Sequence, residues 1–354
     1  MTDQRGPAPA AGDWRLFRGD GEARRVAFPE APPWRRFTPA ADGVRRPRPY
    51  LIGSAESEVV NAALLLRRPL LVTGHPGTGK SSLAHAVAHE LTLGRVLTWP
   101  VNSRSTLREA LYGYDAIGRL RESNLGRERE GADPAVSTAA STAASPSTSL
   151  SASPSTSPTP AGGVGGDIGS YVRLGPLGTA LVPGDRPRVL LVDELDKGDV
   201  DLPNDLLTVF EEGEFEIPEL ARLPEEQSEV HVLTADPEVR APVTRGRVRC
   251  SEFPVVVITS NGEREFPPAF LRRCVRLDLA EPDEARLRDI IEAHLGDESL
   301  AGVDDLLAAF LGRRAPGELA TDQLLNAVFL RKGGLDLPAG PLLDAVLHRL
   351  GGTV

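Results

Sequence analysis

Residues 69–81 read Pro69-Leu70-Leu71-Val72-Thr73-Gly74-His75-Pro76-Gly77-Thr78-Gly79-Lys80-Ser81, a short apolar run followed by a glycine-rich turn. The second part matches G-x4-G-K-[ST], the pattern of a phosphate-binding loop. Its glycines let backbone N–H groups point inward at phosphate oxygens, and a helix beginning near Lys80 adds the positive end of its dipole. The residues predicted to bind nucleotide are Gly74, His75, Pro76, Gly77, Thr78, Gly79, Lys80, Ser81 and Ser82.

Lys80 is unusual in this chain, because lysine otherwise occurs only at Lys197 and Lys332 while arginine is common. An ammonium is a compact point charge on a flexible stem, whereas a guanidinium is flat and broad. Lys80 can therefore reach the β- and γ-phosphates inside a narrow loop, which an arginine would do badly. The hydroxyl of Ser81 is expected to bind the accompanying Mg²⁺.

Further short apolar runs predict a parallel sheet. They are Arg95–Val101, Val189–Val192 and Val255–Thr259, each short and rich in β-branched residues. Such runs are typical of strands buried on both faces of a sheet. Apolar residues with helical spacing over 81–91 lie between the run at 69–73 and the run at Arg95–Val101, so that strands and helices alternate. The prediction is an α/β fold with a doubly wound parallel sheet.

Two of these runs end in polar side chains suited to phosphate chemistry. Val189–Val192 lead into Asp193 and Glu194, and Val255–Thr259 lead towards Asn261. Asp193 can hold Mg²⁺, often through water, and Glu194 can polarise an attacking water as a general base. Asn261 can contact the γ-phosphate or that water. The alternatives, a solvated strand end and a turn asparagine, are disfavoured by the phosphate-binding loop in the same chain.

Paired arginines, Arg272 and Arg273, follow the Asn261 strand within Pro267–Cys274. They can complement the dipole at the end of a helix, which is a structural role. They can also reach the γ-phosphate of a neighbouring subunit, which brings large rate factors where it occurs. Both interpretations are open on the residues alone.

The predicted organisation has an extended N-terminal arm over 1–46, rich in Pro, Arg, Ala and Gly, with Trp14 and Trp34 as candidate anchors. An α/β core follows over 47–279. Within it, the segment 213–250 is expected to form β-hairpins, because short apolar-polar alternations recur there.

A low-complexity disordered insertion is predicted over 122–166, inside the core. Its centre, 134–161, contains only Ser, Thr, Ala and Pro apart from Val136 and Leu150, which cannot bury enough apolar surface to order itself. Residues 280–354 are predicted to form a small all-helical domain. Its expected helices are Asp283–Leu295, Val303–Leu311, Thr321–Leu330 and Pro341–Leu350.

The bulk composition argues against several classes of protein. A formal net charge of −10 disfavours a protein that grips nucleic acid over its whole surface. No run of eighteen apolar residues occurs, so no membrane span is expected, and the N-terminus lacks the apolar core of a signal peptide. The two cysteines, Cys250 and Cys274, suit a reducing compartment, and we expect a cytoplasmic protein.

The order of these motifs resembles that of the AAA+ ATPases: phosphate-binding loop, Asp-Glu strand, Asn strand, arginine pair and helical region. Two segments are similar to those of the MoxR-like members, namely Gly175–Leu181 before the Asp-Glu strand and Glu211–Phe215 after it. The resemblance covers about residues 48–335 without 122–166. It implies a P-loop NTPase core with a parallel sheet, followed by a small helical lid, and the hydrolysis of ATP with Mg²⁺.

The resemblance also implies an assembly. ATP would lie between the subunits of a homo-oligomeric ring, usually a hexamer, which remodels or activates a protein client that the sequence does not identify. Asn261 would be the first sensor of the γ-phosphate. Asn102, at the end of the second apolar run, would restrain the catalytic Glu194.

Arginines have two further roles by the same resemblance. Arg273 would be the finger that reaches the neighbouring subunit. Arg272 stands where the family has the Asp of an Asp-Arg pair, so the choice between the two arginines is open. The helical lid would also supply a second sensor arginine. Of Arg313 and Arg314, Arg314 is the candidate, and a solvated helix end is the open alternative.

Three rival functions differ from this one in their expected motifs. A GTPase would carry an Asn-Lys-x-Asp motif, which is absent. A nucleic-acid motor would carry a stripe of aromatic and basic residues, which is also absent. A nucleotide-dependent switch or scaffold with little turnover is disfavoured by the two carboxylates and the arginine pair, and it is kept as the alternative.

The loop assignment predicts that Lys80→Ala abolishes measurable ATP binding. The phosphates would lose their cation, and a charge-assisted hydrogen bond is worth about 1.5–3 kcal/mol. Titration of a fluorescent ATP analogue in the presence of magnesium measures the affinity. Lys80→Arg should bind nearly as poorly, because the guanidinium does not fit the loop. Unchanged affinity in Lys80→Ala would contradict the assignment.

Overall fold

The computed structural model describes residues 16, 22–23, 28–35, 50–131, 167–313, 319–335, 337 and 340–348. The strands are β1 Leu70–Thr73, β2 Leu97–Pro100, β3 Tyr112–Tyr114, β4 Val172–Leu174, β5 Val189–Asp193, β6 Glu214–Glu216, β7 Glu229–Leu233, β8 Arg240–Thr244, β9 Arg247–Arg249, β10 Val255–Ser260 and β11 Val275–Asp278. The helices are α1 Ser54–Leu66, α2 Lys80–Glu90, α3 Leu107–Leu111, α4 Ala116–Gly131, α5 Pro176–Ala180, α6 Leu202–Glu212, α7 Pro218–Ala221, α8 Pro268–Leu271, α9 Glu284–Leu295, α10 Asp304–Arg313, α11 Thr321–Lys332 and α12 Pro341–Val346.

The chain divides into two compact units. The first comprises residues 1–107, 180–214 and 249–354, and the second comprises 108–179 and 215–248. The helices after residue 283 therefore belong to the same unit as the parallel sheet. This division differs from the predicted sequence of arm, core and lid, which stays a prediction.

A parallel five-stranded sheet forms the centre of the first unit, with strand order β11-β1-β10-β5-β2. The predicted α/β fold with a parallel sheet is confirmed. Because all five strands run the same way, their carboxyl ends meet at one edge: Thr73 lies opposite Ser260, and Pro100 lies opposite Asp193. The phosphate-binding loop, Glu194 and Asn261 each follow one of these ends.

The central strands are buried as the apolar runs predict, whereas the edge strands β2 and β11 are only partly buried. All residues of β5 from Val189 to Val192 are buried, as are Val256 to Ser260 of β10. In β2 burial alternates, with Leu97 and Trp99 inside and Thr98 and Pro100 exposed. The reason is position, because β2 is an edge strand and only one of its faces is covered.

Helices α9 to α12 enclose a separate apolar cluster in the first unit, whose members include Leu287, Ile291, Phe310 and Leu324. Trp34 packs on this cluster: its ring meets Phe329 edge-on, and its Nε1 donates to the amide oxygen of Asn326 at 3.2 Å. One candidate anchor of the arm therefore lies on α11, whereas Trp14 lies outside the described residues. The four helices begin within a residue of their predicted positions, and the last one ends at Val346.

The second unit is organised around a second sheet, with order β3-β4-β7-β8-β9-β6. The hairpins expected over 213–250 account for part of it, since β7 and β8 pair antiparallel. Within the segment Gly175–Leu181, position 178 requires glycine, because a Cβ there would lie 1.9 Å from the carbonyl oxygen of Leu111. A side chain at that position would push α5 away from the strand that follows Leu111.

The predicted insertion needs one correction. Helix α4 continues to Gly131, so the prediction of disorder was wrong for residues 122–131. Arg, Leu and Glu dominate α4, and these residues lose little side-chain freedom in a helix. The rest of the insertion, 132–166, lies outside the described residues.

Candidate functional site

The phosphate-binding loop connects β1 to α2, as predicted. Gly77 has φ of 79°, a left-handed conformation that favours glycine. A Cβ on Gly77 would also lie 2.6 Å from the Cβ of Ala320, just before α11. The tip of the loop is thus in close contact with Ala320 and the first residue of α11, which leaves no room for a side chain.

Lys80 is directed into this loop. The residue is only 7% exposed, and its Nζ donates to the carbonyl oxygens of Gly74 at 2.7 Å and His75 at 2.8 Å. Burial lowers the pKa of Lys80, while the negative charges of Asp196, Glu194 and Asp193 act in the opposite direction. The ammonium therefore lies where phosphate oxygens can replace the carbonyl oxygens as its acceptors.

The remaining loop residues make local contacts. Ser82 donates its backbone N–H to the carbonyl oxygen of Gly79 at 3.0 Å, and Thr78 donates its hydroxyl to that of His75 at 2.9 Å. His75 and Pro76 are exposed. These contacts hold the curl of the loop without using the N–H groups of Gly77 or Gly79.

A chain of hydrogen bonds connects α2, β5 and β10. Ser81 donates to Oδ1 of Asp193 at 2.6 Å, and Thr259 donates to the same oxygen at 2.8 Å. The hydroxyl of Thr259 also accepts from the backbone N–H of Glu194 at 2.8 Å. Thr259 is 1% exposed, so these bonds are shielded from water. Ser81, Asp193 and Glu194 are therefore brought together, as the sequence predicts.

Glu194 stands at the turn that follows β5. Its φ of 59° and ψ of 51° are left-handed, an uncommon conformation for a residue other than glycine. Such a conformation costs about 1–2 kcal/mol and persists only where neighbouring contacts hold it. Thr259 supplies that contact at the backbone, and the Glu194 side chain is exposed at the sheet edge.

The two predicted asparagines differ in their contacts. Asn261 follows β10 directly and donates its backbone N–H to Oδ2 of Asp196 at 3.0 Å. Asn102 is exposed, and its side-chain oxygen accepts from the backbone N–H of Arg104 at 2.9 Å. Asn102 therefore closes its own turn, and among the described residues no hydrogen bond joins it to Glu194. Its predicted restraint of Glu194 stays a prediction.

The two arginines after α8 also differ. Arg273 forms an ion pair with Glu211 of α6, and its Nη1 donates to the carbonyl oxygen of Ala269 at 3.0 Å. Arg272 is exposed, and its side chain has no hydrogen-bond or ion-pair partner among the residues that the structure describes. Arg273 is thus held within its own chain, while Arg272 extends into solvent.

The lid arginine predicted as second sensor, Arg314, lies outside the described residues. Its neighbour Arg313 forms an ion pair with Asp344 at 2.7 Å, a contact between α10 and α12. The structure thus gives Arg313 a structural partner and leaves the prediction for Arg314 as it stands.

The sequence does not single out three further residues, Tyr50, Glu56 and Arg286, of which Tyr50 lies next to the loop. A Cβ on Gly79 would lie 3.3 Å from the ring of Tyr50, so this ring lies against the end of the loop. Arg286 of α9 donates to the carbonyl oxygen of Leu51 at 3.0 Å and forms a two-point ion pair with Glu56. Burial raises the pKa of Tyr50 to about 12. No local pattern marks these residues, because their partners are distant in sequence.

Residues 69–274, more than half of the chain, match the protein family described as AAA domain (dynein-related subfamily). The chain belongs to this family. This member carries the loop lysine and the Asp-Glu pair at one sheet edge. No curated protein sequence matches the chain.

Solved structures that match the chain include NtrX from Brucella abortus in complex with ADP, at 16% identity and a TM-score of 0.39, with 84% of this chain and 55% of that one covered. The ATP complex of the same protein matches at 15% identity and a TM-score of 0.37, with 86% of this chain and 57% of that one covered. A candidate ATPase from Cytophaga hutchinsonii matches at 9% identity and a TM-score of 0.32, with 67% of this chain and 48% of that one covered. The chain thus spans about half the length of these proteins.

Helices able to cross a membrane are absent from the part of this AAA protein that the structure describes.

Removal of the Thr259 hydroxyl is expected to lower the rate of ATP hydrolysis, because its hydrogen bonds to Asp193 and Glu194 are lost. Thr259→Val keeps the shape but leaves the N–H of Glu194 without an acceptor, which costs about 1–3 kcal/mol of stability. We expect turnover to fall about tenfold with ATP affinity nearly unchanged, as measured by steady-state hydrolysis and nucleotide titration.

The matched control is Thr179→Val. Thr179 is another buried threonine, and its hydroxyl accepts a backbone N–H from Ala235 at 2.9 Å in the second unit. It should lose similar stability without losing turnover. Equal turnover in both variants would show that Thr259 has no special role.

Proposed function

We propose that the chain is a MoxR-like AAA+ ATPase that hydrolyses Mg²⁺-ATP between the subunits of a homo-oligomeric ring, a hexamer, in order to remodel or activate a protein client. Its motif order and the segments Gly175–Leu181 and Glu211–Phe215 support this assignment. The observation that carries the catalytic part is the hydrogen-bond chain from Ser81 through Asp193 and Thr259 to Glu194.

The position of each residue determines its proposed role in hydrolysis. Lys80 binds the β- and γ-phosphates, exchanging the carbonyl oxygens of Gly74 and His75 for phosphate oxygens. Glu194, exposed at the sheet edge, orients and deprotonates the attacking water. Asn261, at the end of the adjacent strand, contacts the γ-phosphate or that water.

The donor set fits Mg²⁺. A serine hydroxyl and a carboxylate oxygen converge to 2.6 Å, and hard oxygen ligands of this kind suit the ion in nucleotide sites. Ser81 and Asp193 would hold it together with the phosphates. When bound, the ion neutralises charge that develops on the transferred phosphoryl group.

The arginine pair supplies the contribution of the neighbouring subunit. Lys80 contacts the loop, and no hydrogen bond joins an arginine side chain to residues 74–81 among the described residues, whereas Arg272 extends into solvent. Arg273 would have to give up Glu211 before reaching across an interface. These contacts favour Arg272 as the finger, in place of the Arg273 that the family pattern suggests.

A protein client is supported by apolar side chains exposed on the second unit. Ile117 and Leu120, one turn apart on α4, are 65% and 63% exposed, and Val239 before β8 is 50% exposed. Both described cysteines are unpaired, which supports a cytoplasmic location.

Glu194→Gln is expected to separate binding from chemistry. The amide has nearly the same shape but accepts a proton poorly, so ATP should bind while turnover falls by about a hundredfold or more. Glu90→Gln, at the exposed end of α2, is the matched control. Normal turnover in Glu194→Gln would make Glu194 structural, and weak turnover in the unmodified protein would favour the switch or scaffold.

Mixing two inactive variants tests the shared site. Arg272→Ala should fold and bind ATP but lose about a thousandfold or more in turnover, because the finger is missing. Lys80→Ala keeps its own Arg272. A mixed ring therefore contains interfaces that pair an intact loop with an intact finger, and its activity should exceed that of either variant.

Turnover of the unmodified protein should also rise more steeply than its concentration while rings assemble. Arg273→Ala should keep more activity than Arg272→Ala and lose some stability with its Glu211 ion pair. A monomer in light scattering that hydrolyses ATP at the full rate would exclude the shared site.

A further inference from the structure

Asp196 is a third carboxylate in the turn after β5, and nothing above assigns it a role. It lies in the 3-10 turn Leu195–Lys197 and is only 3% exposed. An ionised carboxylate buried to this extent is costly unless hydrogen bonds compensate for the lost water. Its contacts therefore indicate what keeps it there.

The two oxygens of Asp196 are used unequally. Oδ2 accepts the backbone N–H groups of Asn261 at 3.0 Å and Glu263 at 3.2 Å, both in the turn after β10. Oδ1 is fully buried and has no hydrogen-bond partner among the described residues. One oxygen thus holds the turn after β10 against the turn after β5, and an amide oxygen of the same shape could do the same.

Two other contacts join the same turns, and both are weaker candidates for this task. Lys197 and Glu263 form an ion pair whose side chains are 38% and 52% exposed, and Nη1 of the exposed Arg264 donates to the carbonyl oxygen of Gly198 at 2.7 Å. Exposed ion pairs contribute little to stability, because water screens the two charges. Hydrogen bonds to a buried carboxylate are stronger.

Asp196 lies two residues after Glu194 in the same turn, and its Oδ2 reaches the turn after β10. The residue thus lies at the edge of the sheet that carries Glu194 and Asn261.

We propose that Asp196 is a positioning residue for ATP hydrolysis: its Oδ2 fixes the backbone of Asn261 relative to Glu194, so that both side chains meet the same γ-phosphate and water. This inference rests on the proposed roles of Glu194 and Asn261. It requires the hydrogen-bonding oxygen of Asp196 and not its charge.

The test compares Asp196→Ala, Asp196→Asn and the control Glu263→Gln in the full-length protein. The alanine removes the acceptor, the asparagine keeps one oxygen of the same shape, and the control weakens only the exposed ion pair. Hydrogen–deuterium exchange of residues 260–264 reports the backbone contact without nucleotide. Titration gives the Kd for ATP, and steady-state hydrolysis gives kcat.

We expect Asp196→Ala to exchange faster at residues 260–264 and to lose about tenfold in kcat, with the Kd for ATP changed less than about threefold. Asp196→Asn should restore slow exchange and most of kcat, and Glu263→Gln should match the unmodified protein. A general loss of fold would instead lower the melting temperature and weaken ATP binding in parallel.

Three results would overturn the inference. The first two are unchanged hydrogen–deuterium exchange and normal kcat in Asp196→Ala. The third is an Asp196→Asn variant that exchanges slowly but is inactive, because this result would assign the role to the charge of Asp196. If Asp196→Ala does not fold, Asp196→Asn still decides between oxygen and charge. Failure of the proposed function gives a different result. The unmodified protein would then show no ATP turnover, while Asp196→Ala would still speed the hydrogen–deuterium exchange of residues 260–264.

Discussion

The hydroxyl of Thr259 is the interaction on which the geometry of the site depends. A parallel sheet brings the ends of β5 and β10 to one edge, but strand pairing alone fixes their relative positions only through the backbone. Thr259 donates to Asp193 and accepts from Glu194, so one buried oxygen fixes the carboxylate of Asp193 and the backbone of Glu194 together. Ser81 joins through the same oxygen of Asp193, which connects α2 and the loop to both strands.

The sequence predicts the parts of the site whose information is local. The loop at 74–81 and the strands ending at Asp193 and Ser260 are continuous segments in which each residue type follows from its neighbours. Thr259 and Asp196 act through partners about 65 positions away along the chain. Their only local signals are a hydroxyl inside an apolar strand and a third carboxylate after Asp193-Glu194, and both signals also fit ordinary strand ends.

Other elements are not predicted because their local sequence patterns are too short or are misleading. The second sheet contains three-residue strands such as β3 and β4, which are too short for an alternating pattern to be recognised. Strand β8 contains Pro242, which pairs opposite His231 and would usually argue against a strand. Helix α4 reaches into a region whose later composition is of low complexity, so composition averaged over the insertion obscures its first ten residues.

Helix α11 connects the phosphate-binding loop with the N-terminal arm through two separate contacts. Ala320, just before its first residue, lies against Gly77, and a side chain at position 77 would force the two apart. Towards its other end, Asn326 and Phe329 hold Trp34 by a hydrogen bond and an edge-on ring contact. A helix is stiff along its axis, so α11 cannot withdraw from the loop without moving the residues that bind Trp34. The glycine at position 77 is therefore required by the packing of α11 as well as by the loop's own conformation. The sequence pattern of the loop thus reflects a contact with a distant part of the chain as well as phosphate chemistry.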